Sequence, residues 1–317
     1  MAALIPTVVG HDRVISNWLK AQENQRLAGV YLFAGPSGIG KKSTAWALAQ
    51  AYLCQVSGVA CGECPSCLKV AKKQSENVFY VEPAGQQIKT EQAHEILRFL
   101  SLKAWSGKRI VIIDQVQALN PTAANTLLKT LEDPPPETQF FLIAPSSSSV
   151  LPTLRSRCQV FTFYPVSVDE MRKKTQAPEW MLRASRGSFE KLAQFQEETS
   201  TQVRKTAANM LESCVLKPDF LTTDDWREPL KEKGMWSQYL IHWNYLLRDA
   251  IYTKLKKKNQ ILNTDLEPFL DLLATRSMAQ LLSWQEAIFI WQNELLINRD
   301  PQLQMETLSI QTKRRPL

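Results

Sequence analysis

The sequence lacks the features that mark membrane-embedded and exported proteins. No apolar run approaches the roughly 20 residues that a membrane-spanning helix needs. The first residues, Met1 to Val9, have neither the basic start nor the long apolar stretch of a secretory signal peptide. We therefore expect a cytoplasmic protein with no membrane partner.

Histidine is scarce, and its three copies (His11, His94 and His242) are scattered along the chain. That spacing suggests neither a catalytic triad nor a histidine metal site. The serines at 146–149 do not lie in the G-x-S-x-G turn of serine hydrolases. These absences argue against a serine hydrolase and leave other residues to carry the chemistry.

The chain has 317 residues, of which 44% are hydrophobic, and a net charge of +7. This length predicts two or three domains with full hydrophobic cores. The positive charge suggests an acidic partner such as nucleic acid, although many surface lysines are simply solvated.

A glycine-rich loop, GPSGIGKK at residues 35–42, is the most informative motif. It follows an apolar run and precedes a helical pattern, which is the strand–loop–helix order of a Walker A phosphate-binding loop. Its glycines, Gly35, Gly38 and Gly40, let backbone N–H groups close around phosphate oxygens, and Lys41 would reach the terminal phosphates. The motif predicts a nucleotide-binding loop.

Two positions in this predicted site are wrong for hydrolysis. The residue after Lys41 should carry a hydroxyl that holds Mg²⁺, but it is Lys42, whose ammonium would repel the ion. Asp114 ends a buried apolar run, as an acid that holds Mg²⁺ should. The next residue is Gln115, which cannot act as a general base. Binding of ATP and Mg²⁺ in the chain's own site is therefore doubtful.

Four cysteines are clustered in a C-x6-C-x2-C-x2-C pattern. Thiolates at this spacing can converge on one tetrahedral ion, which favours a structural Zn²⁺. An iron–sulfur cluster and free thiols are the alternatives. The predicted ligands are Cys54, Cys61, Cys64 and Cys67.

The hydrophobic pattern divides the chain near Pro165. Before it, short apolar runs alternate with helical patterns, which predicts a mostly parallel sheet covered on both faces. After it, only helical patterns occur, and a capping box at Ser167 and Glu170 opens the first of them. The longest predicted helices run from Ser200 to Leu216, Met235 to Lys256, Ile261 to Thr275 and Ser277 to Ile297.

Two further motifs give the chain a family resemblance. The stretch NTLLKTLEDPP at residues 125–135 resembles the N-x-L-L-K-x-L-E-x-P helix of AAA+ clamp-loader ATPases. The stretch LRSRC at residues 154–158 resembles their Ser-Arg-Cys motif, and a cysteine module after the P-loop helix is similar to that of bacterial clamp-loader subunits. The chain thus resembles the AAA+ clamp-loader family of bacterial DNA polymerase III, most strongly over residues 1–165.

The resemblance implies an architecture. We expect an α/β RecA-like AAA+ domain with a parallel sheet at residues 1–165, carrying the zinc module at 54–67. A small helical lid at 166–200 and an all-α collar domain at 201–317 should follow.

The resemblance also assigns a role to Arg157. From the residues alone, Arg157 would be a partner in a surface salt bridge. In the family, the arginine of Ser-Arg-Cys reaches the γ-phosphate bound by a neighbouring subunit, as an arginine finger acting in trans. At the family's two sensor positions this chain has Pro145-Ser146 and, in place of an arginine, Glu190, which would repel a γ-phosphate.

These features imply a stator-like clamp-loader subunit with no ATPase activity of its own, part of a DNA-directed DNA polymerase (nucleotidyltransferase) holoenzyme. It would assist loading of a sliding clamp onto primed DNA, with gamma/tau-type and delta-type subunits as partners. The alternatives are an active gamma-type ATPase and a stand-alone AAA+ nucleic-acid-binding protein.

Overall fold

The computed structural model describes residues 3–102, 107–216, 220, 235–294 and 301–313. The chain forms two compact units. The first runs to Thr175 and includes Arg186–Glu190, and the second comprises Gln176–Ser185 and the chain from Lys191 onward. The segment 166–200, expected to form a separate lid, is thus shared between the units, and the three-domain division stays a prediction.

The first unit is built on a five-stranded parallel sheet in the order β2-β3-β4-β1-β5. In the register, Tyr31 of the first strand pairs with Phe141 on one side and with Gln159 on the other. The predicted parallel sheet is confirmed. Its strands are β1 (Val30–Ala34), β2 (Val78–Val81), β3 (Arg109–Ile113), β4 (Thr138–Ala144) and β5 (Gln159–Thr162).

Helices cover both faces of this sheet, which is why its strands read as continuous apolar runs. In β1, Leu32 packs into one core while Tyr31 and Phe33 pack into the other. The helices of this unit are α1 (Asp12–Glu23), α2 (Lys41–Leu53), α3 (Pro65–Ala71), α4 (Thr90–Ser101), α5 (Pro121–Glu132), α6 (Pro152–Arg155) and α7 (Val168–Arg172).

Local sequence signals set the ends of these helices. The side chain of Asn120 accepts a hydrogen bond from the N–H of Ala123, which caps α5, and Pro121 occupies its first turn. The predicted capping box between Ser167 and Glu170 is present at the start of α7. The prolines at 134–136 prevent α5 from continuing, so this helix is defined at both ends. Its last residue is Glu132.

The second unit is helical, as expected for the chain after Pro165. Its core is rich in tryptophan, and Trp243 is fully buried with its indole N–H donated to the carbonyl of Ala207 at 2.6 Å. The remaining helices are α8 (Glu179–Ala184), α9 (Phe189–Gln196), α10 (Glu198–Leu216), α11 (Trp236–Lys254), α12 (Glu267–Ala274), α13 (Met278–Glu294) and α14 (Pro301–Lys313). The predicted helix end at Ile297 lies outside the described residues.

The helix predicted from Ile261 to Thr275 is wrong in its first half, because α12 begins only at Glu267. The carboxylate of Asp249 is fully buried, and its Oδ2 accepts the backbone N–H groups of Leu262 and Asn263 at 2.9 and 2.7 Å. Two N–H groups committed to a side chain cannot also serve a helical turn. The segment therefore adopts an irregular path around Asp249.

Within the described residues, no helix combines the length and the hydropathy needed to cross a bilayer.

Candidate functional site

The phosphate-binding loop lies between the end of β1 and the start of α2. Gly40 has φ +104°, a left-handed conformation that favours glycine. A Cβ on Gly35 would lie 2.4 Å from the carbonyl oxygen of Phe163, so the close approach of these two backbones also requires glycine. The predicted strand–loop–helix context of the motif is confirmed.

The loop lysine is directed at the loop itself. The ammonium of Lys41 donates to the carbonyl oxygens of Gly35 and Pro36, each at 2.5 Å. Burial lowers the pKa of Lys41, while the charges of Asp114 and Glu190 act in the opposite direction. Two acidic side chains thus offset part of the burial cost of this ammonium.

Lys42 forms an ion pair with Asp114, the acid that was predicted to hold Mg²⁺. Its Nζ is 3.4 Å from Oδ2 of Asp114 and 3.4 Å from Oε2 of Glu82, and it lies 4.5 Å from the ring centre of Tyr80. The Tyr80 hydroxyl donates to Glu82 at 2.6 Å and to Asp114 at 3.1 Å. Burial, followed by these two carboxylates, raises the pKa of Tyr80. A side-chain cation is therefore placed where a P-loop ATPase places its metal.

A cleft of about 750 Å³ opens over this loop. It is lined by Lys41, Lys42, Asp114 and Gln115, among others. Gln115 has a left-handed backbone (φ +55°), so a glutamine occupies the turn directly after the acid. The cleft brings together four of the five predicted nucleotide-binding residues, namely Gly38, Gly40, Lys41 and Asp114.

The two sensor positions differ in their relation to this cleft. The hydroxyl of Ser146 lies 3.0 Å from that of Ser148 and accepts the N–H of Ser149, so it is used within its own turn. Glu190 lines the cleft, and its Oε2 would lie 2.9 Å from a Cβ on Gly38. Glu190 thus lies against the phosphate-binding loop, where its negative charge would repel an anionic ligand.

His11 contacts the phosphate-binding loop although it lies outside the loop motif. Its Nε2 lies 2.6 Å from the carbonyl of Ile39, and its ring packs edge-on against Phe163. Burial lowers the pKa of His11, and the neutral ring with Nε2–H donates to Ile39. His11 lies 24 residues before Gly35, and the loop motif gives no signal for this contact.

Arg157 lies in the turn between α6 and β5, with its side chain 28% exposed. Its Nη2 and Nε donate to Oε2 of Glu132 at 2.8 and 3.3 Å, and its Nη1 donates to the carbonyl of Thr153 at 2.8 Å. The surface salt bridge considered from the residues alone is present, and the guanidinium is held in one orientation.

The four clustered cysteines converge in space. Their Sγ atoms all lie within 4.8 Å of one another, and those of Cys61 and Cys67 are 3.9 Å apart. Four sulfurs at about 2.3 Å from a tetrahedral ion are separated by about 3.8 Å. The group formed by Cys54, Cys61, Cys64 and Cys67 therefore has the size and the donor set of a metal site.

Backbone N–H groups point at these sulfurs. Cys54 accepts from Cys61 and Ser57 at 3.4 Å each, and Cys64 accepts from Cys67 at 3.4 Å. Burial opposes ionisation of Cys54, but these N–H groups outweigh it and lower its pKa to about 6. Burial raises the pKa of Cys67. The turns are thus arranged to stabilise thiolates, which are the form that binds metals.

The sheet order, the loop after β1 and the acid after β3 define an α/β domain of the P-loop, AAA+ class. Residues 10–167 match the family model described as "DNA polymerase III, delta subunit", and over these residues the chain is similar to that family.

The curated proteins to which the chain is similar are also named as subunits of DNA polymerase III. The chain is 36% identical over 146 residues to DNA polymerase III subunit delta' of Pseudomonas aeruginosa, covering 44% of each protein. It is 38% identical over 133 residues to subunit delta' of Haemophilus influenzae, covering 41% of each. It is 32% identical over 157 residues to subunit tau/gamma of the same organism, covering 49% of this chain and 23% of that one. The matches to the delta' relatives thus span less than half of their length.

Proposed function

We propose that the protein is a stator-like, delta'-type subunit of a bacterial DNA polymerase III clamp loader. It assists ATP-dependent loading of a sliding clamp onto primed DNA and leaves hydrolysis to its neighbours. As such it is part of a DNA-directed DNA polymerase holoenzyme in the cytoplasm, with gamma/tau-type and delta-type subunits as partners. The match of residues 10–167 to the family model and the similarity to two delta' subunits support this proposal.

The observation that carries the proposal is the ion pair between Lys42 and Asp114. In a P-loop ATPase the acid binds Mg²⁺, which bridges the β- and γ-phosphates and neutralises the charge that develops on them. Here the acid is paired with an ammonium, and no hydroxyl is present at position 42 to complete the metal site. Gln115 cannot accept a proton from water, and Glu190 adds a negative charge beside the loop. The chain's own site is unsuited to hydrolysis.

Arg157 supplies the chemistry that the chain retains. A guanidinium stabilises the charge that spreads over the equatorial oxygens of a transferred phosphoryl group. An arginine finger acts on a nucleotide bound by another subunit, so its function does not depend on the chain's own P-loop. The partial exposure of Arg157 supports this role, since a fully buried guanidinium would have no access to a neighbour's nucleotide.

The four cysteines hold a structural Zn²⁺ in this proposal. All four positions of a tetrahedral ion are filled by protein sulfurs, which leaves no open position for a substrate. The ion fixes the turns that connect α2 with α3.

The helical second unit serves as the collar that joins neighbouring subunits. DNA contacts by the assembled ring are made to phosphates, so they are independent of sequence and weaken as salt rises.

One experiment tests the proposed function directly. The purified chain is mixed with the ATPase, delta-type and clamp subunits of its own organism, and ATP turnover is measured with primed DNA. Arg157→Ala should assemble normally and lower DNA-stimulated turnover. Arg155→Ala is the matched control, because it removes the same charge two residues away and leaves the Arg157 guanidinium in place. Unchanged turnover with Arg157→Ala would remove the arginine finger from the proposal.

The alternatives make different predictions. A gamma-type ATPase would hydrolyse ATP as the isolated chain in the presence of Mg²⁺, and the Lys42–Asp114 pair opposes this. A stand-alone nucleic-acid-binding protein would keep its DNA affinity without ring partners, and similarity to subunits of a multi-protein polymerase opposes that.

A further inference from the structure

Glu132 binds the guanidinium of Arg157 along the edge that carries Nε and Nη2. Its Oε2 accepts from both Nη2 and Nε, while the carbonyl of Thr153 accepts from Nη1. These contacts use three of the five N–H groups of the guanidinium. The two N–H groups left over are those available to an anion that approaches from outside the chain.

The location of Glu132 is unfavourable for an acid considered by itself. Glu132 is the last residue of α5, where the helix dipole is negative and favours cations. Its side chain is 65% exposed, and ion pairs with so much exposure contribute little to folding stability. The Glu132–Arg157 ion pair therefore contributes little to folding stability. Its effect is to orient the long side chain of Arg157.

Fixing that direction matters for a group that acts on a neighbour's phosphate. An arginine side chain has several rotatable bonds. Ordering it at an interface costs conformational entropy, and this cost weakens binding. A side chain ordered in advance avoids this loss at the moment of reaction.

We propose that Glu132 is a positioning residue that holds Arg157 in the orientation needed to reach the phosphate of a nucleotide bound by the neighbouring subunit. This inference rests on the proposed function, because it requires Arg157 to act in trans. Glu132 itself touches no nucleotide and acts only through Arg157.

The test uses the assembled complex and three variants. Glu132→Ala removes the acceptor, Glu132→Gln keeps an acceptor oxygen but removes the charge, and Asp133→Ala removes the same charge from the neighbouring exposed residue. We expect Glu132→Ala to lower kcat for DNA-stimulated ATP hydrolysis by about 3- to 10-fold, with KM for ATP and assembly unchanged. Glu132→Gln should stay within about twofold of the wild type because it still accepts from Nε and Nη2, and Asp133→Ala should leave kcat unchanged.

A double variant separates positioning from a structural role. In the Arg157→Ala background, Glu132→Ala should cause no further loss of turnover, because the group that it positions is gone. A structural effect of Glu132 would persist in that background.

The outcomes distinguish the inference from the proposed function. If Arg157→Ala lowers turnover but Glu132→Ala matches Asp133→Ala or exceeds the wild type, the positioning role is overturned and the trans arginine stands. If Arg157→Ala matches Arg155→Ala, both are overturned.

Discussion

The ammonium nitrogen of Lys42 lies 3.4 Å from Oδ2 of Asp114, the acid that directly follows β3. In the parallel sheet, the loop after β1 and the residue after β3 lie at the same edge, so a side chain from one reaches the other. The pair joins the two positions that a P-loop ATPase joins through Mg²⁺. The protein thus carries a cation of its own at the metal position of the fold.

Replacement of Lys42 by serine should make nucleotide binding depend on magnesium. Lys42→Ser supplies the missing hydroxyl and frees the carboxylate of Asp114, so both metal ligands become available. We expect this variant to bind ATP at least about tenfold more tightly with Mg²⁺ than with EDTA, which corresponds to about 1.4 kcal/mol. Calorimetric titration of the purified chain measures the affinity under both conditions.

The control for this experiment is Lys20→Ser, which removes the same charge from an exposed position on α1. Like the wild type, it should bind ATP no better with Mg²⁺ than without. A wild-type chain as magnesium-dependent as Lys42→Ser would show that the ammonium does not displace the metal.

The cysteine group should contain one Zn²⁺ per chain, and its loss should destabilise the first unit. Cys64→Ser removes one of four ligands and should abolish tight binding of the ion, lowering the free energy of unfolding by several kcal/mol, because metal-binding energy contributes to folding. Elemental analysis and thermal unfolding check both effects. Cys158→Ser is the control, since Cys158 lies outside the group and donates to the carbonyl of Leu154. Iron in place of zinc would contradict the metal assignment.

The stability of the second unit should fall as the pH drops below 6.5. Burial, with a smaller effect of Arg204, lowers the pKa of His242 from 6.5 to about 4. Between these values the unfolded chain binds more protons than the folded chain, so the stabilisation is complete above pH 6.5 and is lost towards pH 4. Arg204 is itself paired with Asp265, with its Nη2 2.7 Å from Oδ1.

At pH 4.5 this one residue should remove about 2.5 kcal/mol of stability relative to pH 7. Urea unfolding followed by tryptophan fluorescence should therefore show a smaller pH dependence for His242→Gln than for the wild type. The exposed His94→Gln should behave like the wild type. An equal pH dependence in all three proteins would mean that His242 is not buried as a neutral side chain.

Much of the fold can be predicted from the sequence because its signals are local. A strand buried on both faces is a short apolar run, as β1 and β3 are, and the loop after β1 is identified by its glycines. The cysteine group is predicted by spacing alone, since two-residue intervals bring sulfurs to one side of a turn.

The contacts missed by the sequence analysis are those that only the tertiary structure creates. Glu82 follows β2 and Asp114 follows β3, which is its neighbour in the sheet, and both carboxylates lie 3.4 Å from the ammonium of Lys42 at the start of α2. Glu132 and Arg157 are 25 residues apart and meet only after α5 and α6 have packed. The irregular segment before α12 depends on the buried carboxylate of Asp249, which no helical pattern reveals.

The most direct test of the account is the ATP turnover of the purified, isolated chain with Mg²⁺, measured beside its Lys41→Ala variant. Lys41→Ala removes the loop lysine, so any turnover that both proteins share comes from a contaminant. The account predicts that wild type and variant show the same background rate. A magnesium-dependent rate that Lys41→Ala abolishes would show that the chain hydrolyses ATP in its own site and would contradict the account.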